Sequence, residues 1–133
     1  MSTVADRPMS VKLRPWLDEE LRREFEERGE STSEGLRRIL EEWWTLQHLH
    51  EIEFRQTLGG RRAAVREGPE VWEIVSVARD YGDDVDGLRE HFGWLDEESL
   101  DAALAYYEVF PERIDVLIEE NRRTGRYLSE RLG

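Results

Sequence analysis

Hydrophobic and polar residues alternate in one short stretch near the start of the chain. Val11 and Leu13 stand between the polar residues Ser10, Lys12 and Arg14. A hydrophobic period of two is typical of a β-strand with one apolar face and one polar face. The pattern therefore predicts a short strand over residues 10–13, with two bases on its polar side.

The apolar spacing then changes to that of an α-helix. Pro15 is suited to the first turn of a helix, and Gly29 is suited to its end. Between them, a narrow apolar stripe is formed by Leu17, Leu21 and Phe25. Ser31 or Ser33 can cap a second helix, with Glu34 in its first turn. The apolar face of this second helix consists of Leu36, Ile39, Leu40, Trp43 and Leu46.

The middle of the chain predicts a β-hairpin. Ile52 and Phe54 alternate with charged residues, and Gly59-Gly60 supplies a tight turn before Ala63 to Val65. A lone hairpin is unstable in water. We therefore expect it to pack on the helices that follow.

After Pro69, four helical segments are predicted. The residues that cap, start or stop them are Gly82, Asp83 or Asp84, Gly93, Asp96 and Pro111. The inward residues of the first two segments are Val71, Trp72, Ile74, Val75, Ala78, Val85, Leu88 and Phe92. Those of the last two are Leu100, Ala103, Leu104, Tyr107, Ile114, Leu117 and Ile118. Short capped helices with tight turns indicate a helix-turn-helix-like bundle.

These elements predict a mainly α chain with four parts. Residues 1–9 form a flexible N-terminus, and residues 10–50 form a unit of one strand and two helices. Residues 51–123 form the hairpin and a bundle of three to four helices, and residues 124–133 form a C-terminal tail. One strand cannot satisfy its own backbone, and two helices with narrow stripes cannot enclose a core. We therefore expect the first unit to form a homodimer.

The charge is distributed unevenly along the 133 residues, whose formal net charge is −12. Residues 1–68 carry twelve bases and fourteen acids, whereas residues 69–133 carry seven bases and seventeen acids. Such an excess of acids repels the phosphates of a nucleic acid. We therefore expect the second half to bind a protein, with a basic protein as one candidate.

The composition limits the location and the chemistry of the chain. It has no cysteine, which excludes disulfides and thiolate metal sites. No apolar run approaches the length of about 18 residues that a membrane span needs. His48 and His50 face different sides of a helix and do not predict a metal site. We expect a cytoplasmic protein with no cofactor and, because no nucleophile is paired with a base, no enzymatic activity.

The first unit resembles a ribbon-helix-helix domain over residues 10–47. The resemblance rests on the strand, the Gly29 turn, the cap Ser31-x-Ser33-Glu34 and the apolar spacing. In that family two chains pair their single strands antiparallel, and the resulting ribbon enters the major groove of DNA.

This resemblance implies roles for individual residues. Ser10, Lys12 and Arg14 would face the bases of operator DNA, while the apolar residues between them turn inward. The backbone amides near Ser31 and Ser33 would bind a phosphate. The alternative is a unit that dimerises without binding DNA.

The second part resembles domain-of-unknown-function family 433 (DUF433) over residues 52–123. The resemblance rests on "VWEIV" at 71–75, on the acid-capped helix before Trp94-Leu95, and on "ALAYYEVFPERIDVLIEEN" at 103–121. Members of that family resemble antitoxins of the VapB kind, whose usual partners are toxins with a PIN-like ribonuclease domain. The resemblance implies such a toxin as the protein partner.

Candidate contacts to this partner are aromatic and basic. More aromatic residues occur than one small core needs, and the candidates are Trp72, Tyr106 and Phe110. Tyr106 is the least committed to the core by its spacing, although ordinary core packing is the alternative for each. In antitoxins a terminal arginine-bearing segment often lies across an acidic nuclease site. The resemblance implies this role for Arg122, Arg123 and Arg126, with a solvated helix end as the alternative.

Three functions are compatible with this pattern. The leading hypothesis is an antitoxin whose ribbon represses its own operon and whose acidic second unit neutralises a PIN-like ribonuclease toxin. The second is a stand-alone ribbon-helix-helix transcriptional regulator without a toxin. The third is an interaction protein that dimerises without DNA. Lys12 and Arg14 distinguish the two DNA-binding hypotheses from the third.

Overall fold

The computed structural model describes residues 7–132. Within this range the chain has six helices and one two-stranded antiparallel sheet, so the predicted mainly α class is confirmed. The chain divides into two compact units, Met1–Trp44 and Thr45–Gly133, a few residues before the predicted boundary. The predicted flexible N-terminus, residues 1–9, lies mostly outside the described residues.

Helix α1, Pro15–Arg28, starts and ends as predicted. Arg14 before it is extended, and Pro15 takes the first helical position, where a missing N–H leaves no hydrogen bond unmade. Gly29 ends the helix in the left-handed conformation, with a φ of 70°, and its N–H donates to the carbonyl of Glu26 at 3.1 Å. Both end signals are therefore confirmed.

Helix α2, Thr32–His48, begins with a reciprocal cap. The Ser31 Oγ accepts a hydrogen bond from the N–H of Glu34 at 3.1 Å, and Glu34 Oε1 accepts one from the N–H of Ser31 at 3.1 Å. This arrangement satisfies two donors that would otherwise be open at the helix start. Of the two predicted caps, Ser31 takes the role, and Ser33 lies in the first turn.

Phe25 is the buried residue of α1 and lies against a glycine of α2. Its side chain is 2% exposed. A Cβ atom at Gly35 would lie 2.2 Å from Cδ1 of the Phe25 ring. Because carbon atoms pack best at about 3.5–4 Å, a larger residue at this position would overlap the ring. Gly35 therefore allows the two helices to approach, although glycine lowers helix propensity by about 1 kcal/mol relative to alanine.

The strand predicted at residues 10–13 is not formed within the described chain. Residues 8–14 have no regular secondary structure. No backbone hydrogen bond joins residues 8–13 to the rest of the described chain. A strand is stable only when a neighbouring strand completes its hydrogen bonds. The prediction is therefore wrong for a single chain, and a ribbon at this position requires a second chain.

The hairpin is formed as predicted. Strands β1 (Ile52–Thr57) and β2 (Gly60–Val65) pair antiparallel, with Ile52 opposite Val65. Gly60, which follows the turn, has a φ of 114°, a conformation that favours glycine. Ile52 and Val65 are fully buried in the core that the hairpin shares with the helices. The expected packing of the hairpin on the bundle is confirmed.

Four helices complete the second unit. They are α3 (Val71–Tyr81), α4 (Val85–His91), α5 (Glu97–Val109) and α6 (Pro111–Leu132). The predicted cap Asp84 accepts a hydrogen bond from the N–H of Gly87 at 2.9 Å, whereas Asp96 makes no side-chain cap bond. The shared core contains Ile52, Ala63, Val65, Val71, Ile74, Val75, Leu88, Phe92, Leu100, Ala102, Ala103, Tyr106, Ile114 and Ile118.

Two expectations for this unit are wrong. Val85 is exposed, although its spacing predicts an inward position. Helix α4 has only two turns, and Leu88 and Phe92 already supply its buried side. The tail predicted at residues 124–133 is not a separate segment, because α6 continues without a break to Leu132.

Candidate functional site

The segment before α1 is basic and contains no acidic residue from Arg7 to Leu17. The side chains of Lys12 and Arg14 are exposed and make no hydrogen bond or ion pair with any described residue. Ser10 is exposed as well. The structure therefore leaves accessible all three side chains that are predicted to face DNA.

Several other arginines of the first unit are neutralised by carboxylates. Ion pairs join Arg22 to Asp18 at 3.0 Å, Arg28 to Glu24 at 2.6 Å and Arg38 to Glu30 at 2.8 Å. Lys12 and Arg14 have no such carboxylate. A local group of uncompensated bases attracts phosphate even on a protein whose net charge is negative.

The start of α2 is only partly available as a phosphate site. The Glu34 carboxylate already accepts the hydrogen bond of the Ser31 N–H. Hydrogen bonds from the Ser31 side chain and backbone lower the pKa of Glu34, so that its negative charge is retained at neutral pH. The Ser31 amide is therefore occupied in this conformation, and the phosphate site predicted at the amides near Ser31 and Ser33 stays a prediction. The N–H groups of Thr32 and Ser33 have no acceptor within the helix and are the donors that remain.

Large apolar side chains of the first unit are exposed. They are Met9, Val11, Trp16, Leu40 and Trp43. Val11, which is predicted to turn inward in a dimer, is 73% exposed, and Leu13 is half-buried. Leu40 and Trp43 belong to the apolar face predicted for α2. Exposed apolar side chains in this number are typical of a protein interface.

Tyr106 is a core residue and not part of an exposed aromatic surface. Its side chain is 2% exposed. Its ring centre lies 4.9 Å from that of Phe110 and 6.2 Å from that of Phe54 in β1. The prediction that Tyr106 contacts a partner is therefore wrong. The hairpin covers a side of α5 that helix periodicity alone leaves unassigned.

Trp72 and Phe110 are half-buried and have contacts within the unit. The indole N–H of Trp72 donates to Glu70 Oε1 at 2.8 Å. The guanidinium of Arg113 lies 4.7 Å from the centre of the Phe110 ring, which is a cation–π distance. An open groove beside Trp72 is lined by Arg62, Trp72, Leu117, Glu120, Asn121 and Thr124. The structure thus brings Trp72, but not Phe110, to the second half of α6.

The three arginines predicted to contact a partner are exposed on α6. Arg123 and Arg126 lie 3.4 and 3.5 Å from the carboxylate of Glu119. Arg122 makes no ion pair with a described residue. All three are held on a continuous helix rather than in a loose tail, and Arg122 has the least compensated charge.

A polar contact between three helices was not predicted from the sequence. The Tyr107 hydroxyl donates to Asp115 Oδ1 at 2.8 Å, and Arg79 donates to both residues, at 3.0 Å to the hydroxyl. The hydrogen bond to Tyr107 is the main cause that raises the pKa of Arg79. Because Arg79 lies about thirty positions before Tyr107 and Asp115, only the tertiary structure shows this contact. It joins α3, α5 and α6 at an exposed position.

No group of three or more potential metal-binding side chains occurs in residues 7–132. None of the helices in that range is long and apolar enough to cross a lipid bilayer. Comparisons with family models, with curated proteins and with solved structures found no match to this chain. Its function is therefore inferred from the surfaces described above.

Proposed function

We propose that this chain is a dimeric DNA-binding regulator of the antitoxin kind. The observation that carries the proposal is the segment of residues 8–14. Apart from the half-buried Leu13 it is exposed, the backbone of residues 8–13 has no hydrogen-bond partner in the described chain, and the segment presents the uncompensated side chains of Lys12 and Arg14. Backbone donors and acceptors without partners favour pairing with another strand.

Pairing with the same segment of a second chain accounts for both faces of the alternating pattern. An antiparallel ribbon places Ser10, Lys12 and Arg14 of both chains on one side, where they contact base edges in the major groove. It places Val11 and Leu13 on the other side, where the exposed apolar side chains of the helices are covered. The dimer then completes the core that one copy of the unit lacks.

The second unit has the charge of a protein-binding module. Its excess of carboxylates favours a basic partner and disfavours DNA. In the proposal this partner is a PIN-like ribonuclease toxin, contacted through Trp72 and Phe110 and through the arginines Arg122, Arg123 and Arg126. A toxin that bridges neighbouring dimers raises their operator affinity by avidity, so that neutralisation and autorepression are coupled.

The toxin part is tested by co-expression with the protein encoded next to this chain's gene. The expected result is a stable complex and relief of that protein's toxicity. If no complex forms and the neighbour is harmless when expressed alone, the chain acts without a toxin. A stand-alone regulator is then the remaining DNA-binding function.

The DNA-binding part is tested by replacing Lys12 and Arg14 with alanine. A good bidentate base contact contributes about 1–3 kcal/mol, so the loss of two such residues in each chain is expected to weaken operator binding by more than about 100-fold. The measurement is a titration of the DNA upstream of the gene at fixed salt. The matched control is Arg22→Ala with Arg23→Ala, which removes the same charge from α1.

The control separates base reading from general electrostatic attraction. If both double variants weaken binding equally, the segment is not the reader. If neither the parent nor the variants bind DNA, a dimerisation protein without DNA is the better description. The Glu34 carboxylate on the Ser31 amide is the observation that favours this second candidate, because it repels a phosphate at the start of α2.

A further inference from the structure

The second half of α6 continues beyond the core of its unit. We define distal α6 as residues 119–132, all of which are exposed. The whole helix of 22 residues is roughly 33 Å long, and Ile118 is its last buried residue. Distal α6 is therefore an exposed helical arm, whose first residues Glu120, Asn121 and Thr124 line the groove beside Trp72.

The apolar face of α6 also continues along this arm. At helical spacing, the face of Ile114 and Ile118 passes through Asn121 and Gly125 and then carries two large apolar residues, Leu128 and Leu132. Leu128 is 47% exposed and Leu132 is 81% exposed. No atom lies within 4 Å of a Cβ placed at Gly125. A helix in water does not need such a stripe, so its extension indicates a surface that another molecule covers.

The charges beside the stripe are basic. Distal α6 carries four arginines and three glutamates. At 100° per residue, Arg122 and Arg131 border the stripe on either side, whereas Arg123 lies on the opposite face. Arg123 and Arg126 both approach the Glu119 carboxylate, at 3.4 and 3.5 Å, whereas Arg122 and Arg131 have no such ion pair with a described residue. The border of the stripe is therefore more positive than the back of the helix.

A surface of opposite character lies on α4 and on the turn that follows it. We define the α4 surface as Val85, Asp86, Glu90 and Trp94, all of which are exposed. Trp94 is 65% exposed, with one edge contact to Phe92 at 6.2 Å between ring centres. Neither carboxylate of this surface has a hydrogen bond or ion pair with a described residue.

The surroundings of the α4 surface are acidic as well. Residues 80–98 carry eight acids and one arginine, Arg89, which is paired with Glu97 at 2.7 Å. One surface of the chain is thus basic with exposed leucines, and another is acidic with an exposed valine and tryptophan. The two surfaces therefore have complementary charges, and both have exposed apolar side chains.

We propose that distal α6 of one chain docks on the α4 surface of a second copy. Leu128 and Leu132 then cover Val85 and Trp94, while Arg122 and Arg131 approach the carboxylates of the α4 surface. Arginine next to an exposed indole adds cation–π attraction. Both surfaces are open within one chain, so the contact joins different copies.

Two chains that exchange their arms reciprocally form a closed pair, whereas one-way docking extends to open chains. The alternating segment and its bases take no part in this contact. Arg122 belongs both to this contact and to the proposed toxin contact, so the tests below use the chain alone, without DNA and without a toxin. A negative result for this contact is therefore distinguishable from a negative result for the proposed function.

Disulfide formation identifies the occupant directly, because the natural chain has no cysteine. Leu128→Cys and Trp94→Cys are prepared separately, mixed, allowed to exchange subunits, and oxidised. A disulfide forms only when the two Cα atoms come within about 7 Å. The expected product is the mixed disulfide between the two variants, in clear excess over either symmetric one.

The matched control is Arg123→Cys mixed with Trp94→Cys, which places the thiol on the back of the same helix. A mixed disulfide that forms equally well in this control overturns the proposal. So does a symmetric disulfide of Leu128→Cys, which indicates that two arms pair with each other. The absence of any disulfide overturns it too. Both positions are exposed, and a helical circular dichroism spectrum confirms that each variant is folded.

Charge reversal tests the electrostatic part of the contact. Arg122→Glu with Arg131→Glu is expected to weaken self-association by about tenfold, as judged by sedimentation at several concentrations. Adding Asp86→Arg and Glu90→Arg to that variant is expected to restore self-association, because the two surfaces then carry each other's charges. Arg123→Glu, at the back of the helix, leaves the association unchanged. If Arg123→Glu has the same effect, or if the exchange fails to restore association, the arm does not dock on the α4 surface.

Discussion

Replacement of Tyr106 with alanine is expected to lower the free energy of unfolding by about 3–5 kcal/mol. Tyr106 is buried between the hairpin and the helices, where its ring contacts Phe54 and Phe110. Removal of the ring leaves a cavity that β1 and α5 can fill only by moving closer together. The measurement is a urea titration followed by the helical circular dichroism signal.

The matched control is Tyr106→Phe, which keeps the ring and removes only the hydroxyl. That hydroxyl accepts a hydrogen bond from Arg113 at 3.5 Å, the outer limit for such a bond. The control is expected to cost less than about 1.5 kcal/mol. If Tyr106→Ala folds with unchanged stability and loses only its binding to a partner, Tyr106 is a surface residue and the described core is wrong.

Replacement of Gly35 with alanine is expected to destabilise the first unit by about 2 kcal/mol, although alanine is the better helix former. The added methyl group would overlap the Phe25 ring, which is buried and cannot turn away without displacing α1. Helix propensity alone predicts a gain of about 1 kcal/mol, so the sign of the change distinguishes the two effects. The measurement is again a urea titration.

Two further variants sharpen this test. Gly125→Ala, at a helical position with open space around it, is expected to stabilise α6 by about 1 kcal/mol. In a Phe25→Ala background the overlap is absent, and Gly35→Ala is expected to be neutral or stabilising. Such a dependence on Phe25 is the sign of direct contact between neighbours. Equal effects of Gly35→Ala in both backgrounds would contradict the close approach of α1 and α2.

The ends of most elements could be predicted from the sequence because local chemistry determines them. Pro15 and Gly29 delimit α1, and the Ser31 cap starts α2. The paired glycines at 59 and 60 indicate the hairpin turn to within one residue, because the turn residues are Leu58 and Gly59 and Gly60 begins β2. At each of these positions the deciding interaction is made by residues a few positions away.

The sequence is less informative at positions whose environment is determined by a distant element. Tyr106 lies outside the narrow stripe of α5 but is covered by a hairpin some fifty residues earlier in the chain. Gly35 is unfavourable for its own helix, yet the ring of Phe25 requires it. Residues 10–13 have the alternation of a strand, but no strand in residues 7–132 pairs with them.

For the candidate site, the sequence could indicate which residues are suited to contact DNA, but not whether they already have a partner within the chain. Ser31 was predicted both as a helix cap and as part of a phosphate site. The structure shows that the first role limits the second, because the Glu34 carboxylate takes the Ser31 amide. Conversely, the accessibility of Lys12 and Arg14 could not be predicted from the sequence, since acidic residues of other elements could have formed ion pairs with them.

Hydrogen exchange at the backbone amides of residues 10–14 tests the proposed ribbon most directly. These amides, up to residue 13, have no hydrogen-bond acceptor in residues 7–132 of their own chain, and the proposal assigns their protection to a second chain. For the full chain at a concentration where it is dimeric, the proposal predicts slow exchange at alternate positions, as an antiparallel ladder requires. Exchange of all of them at the rate of an unfolded peptide, while the amides of α1 stay protected, would contradict it.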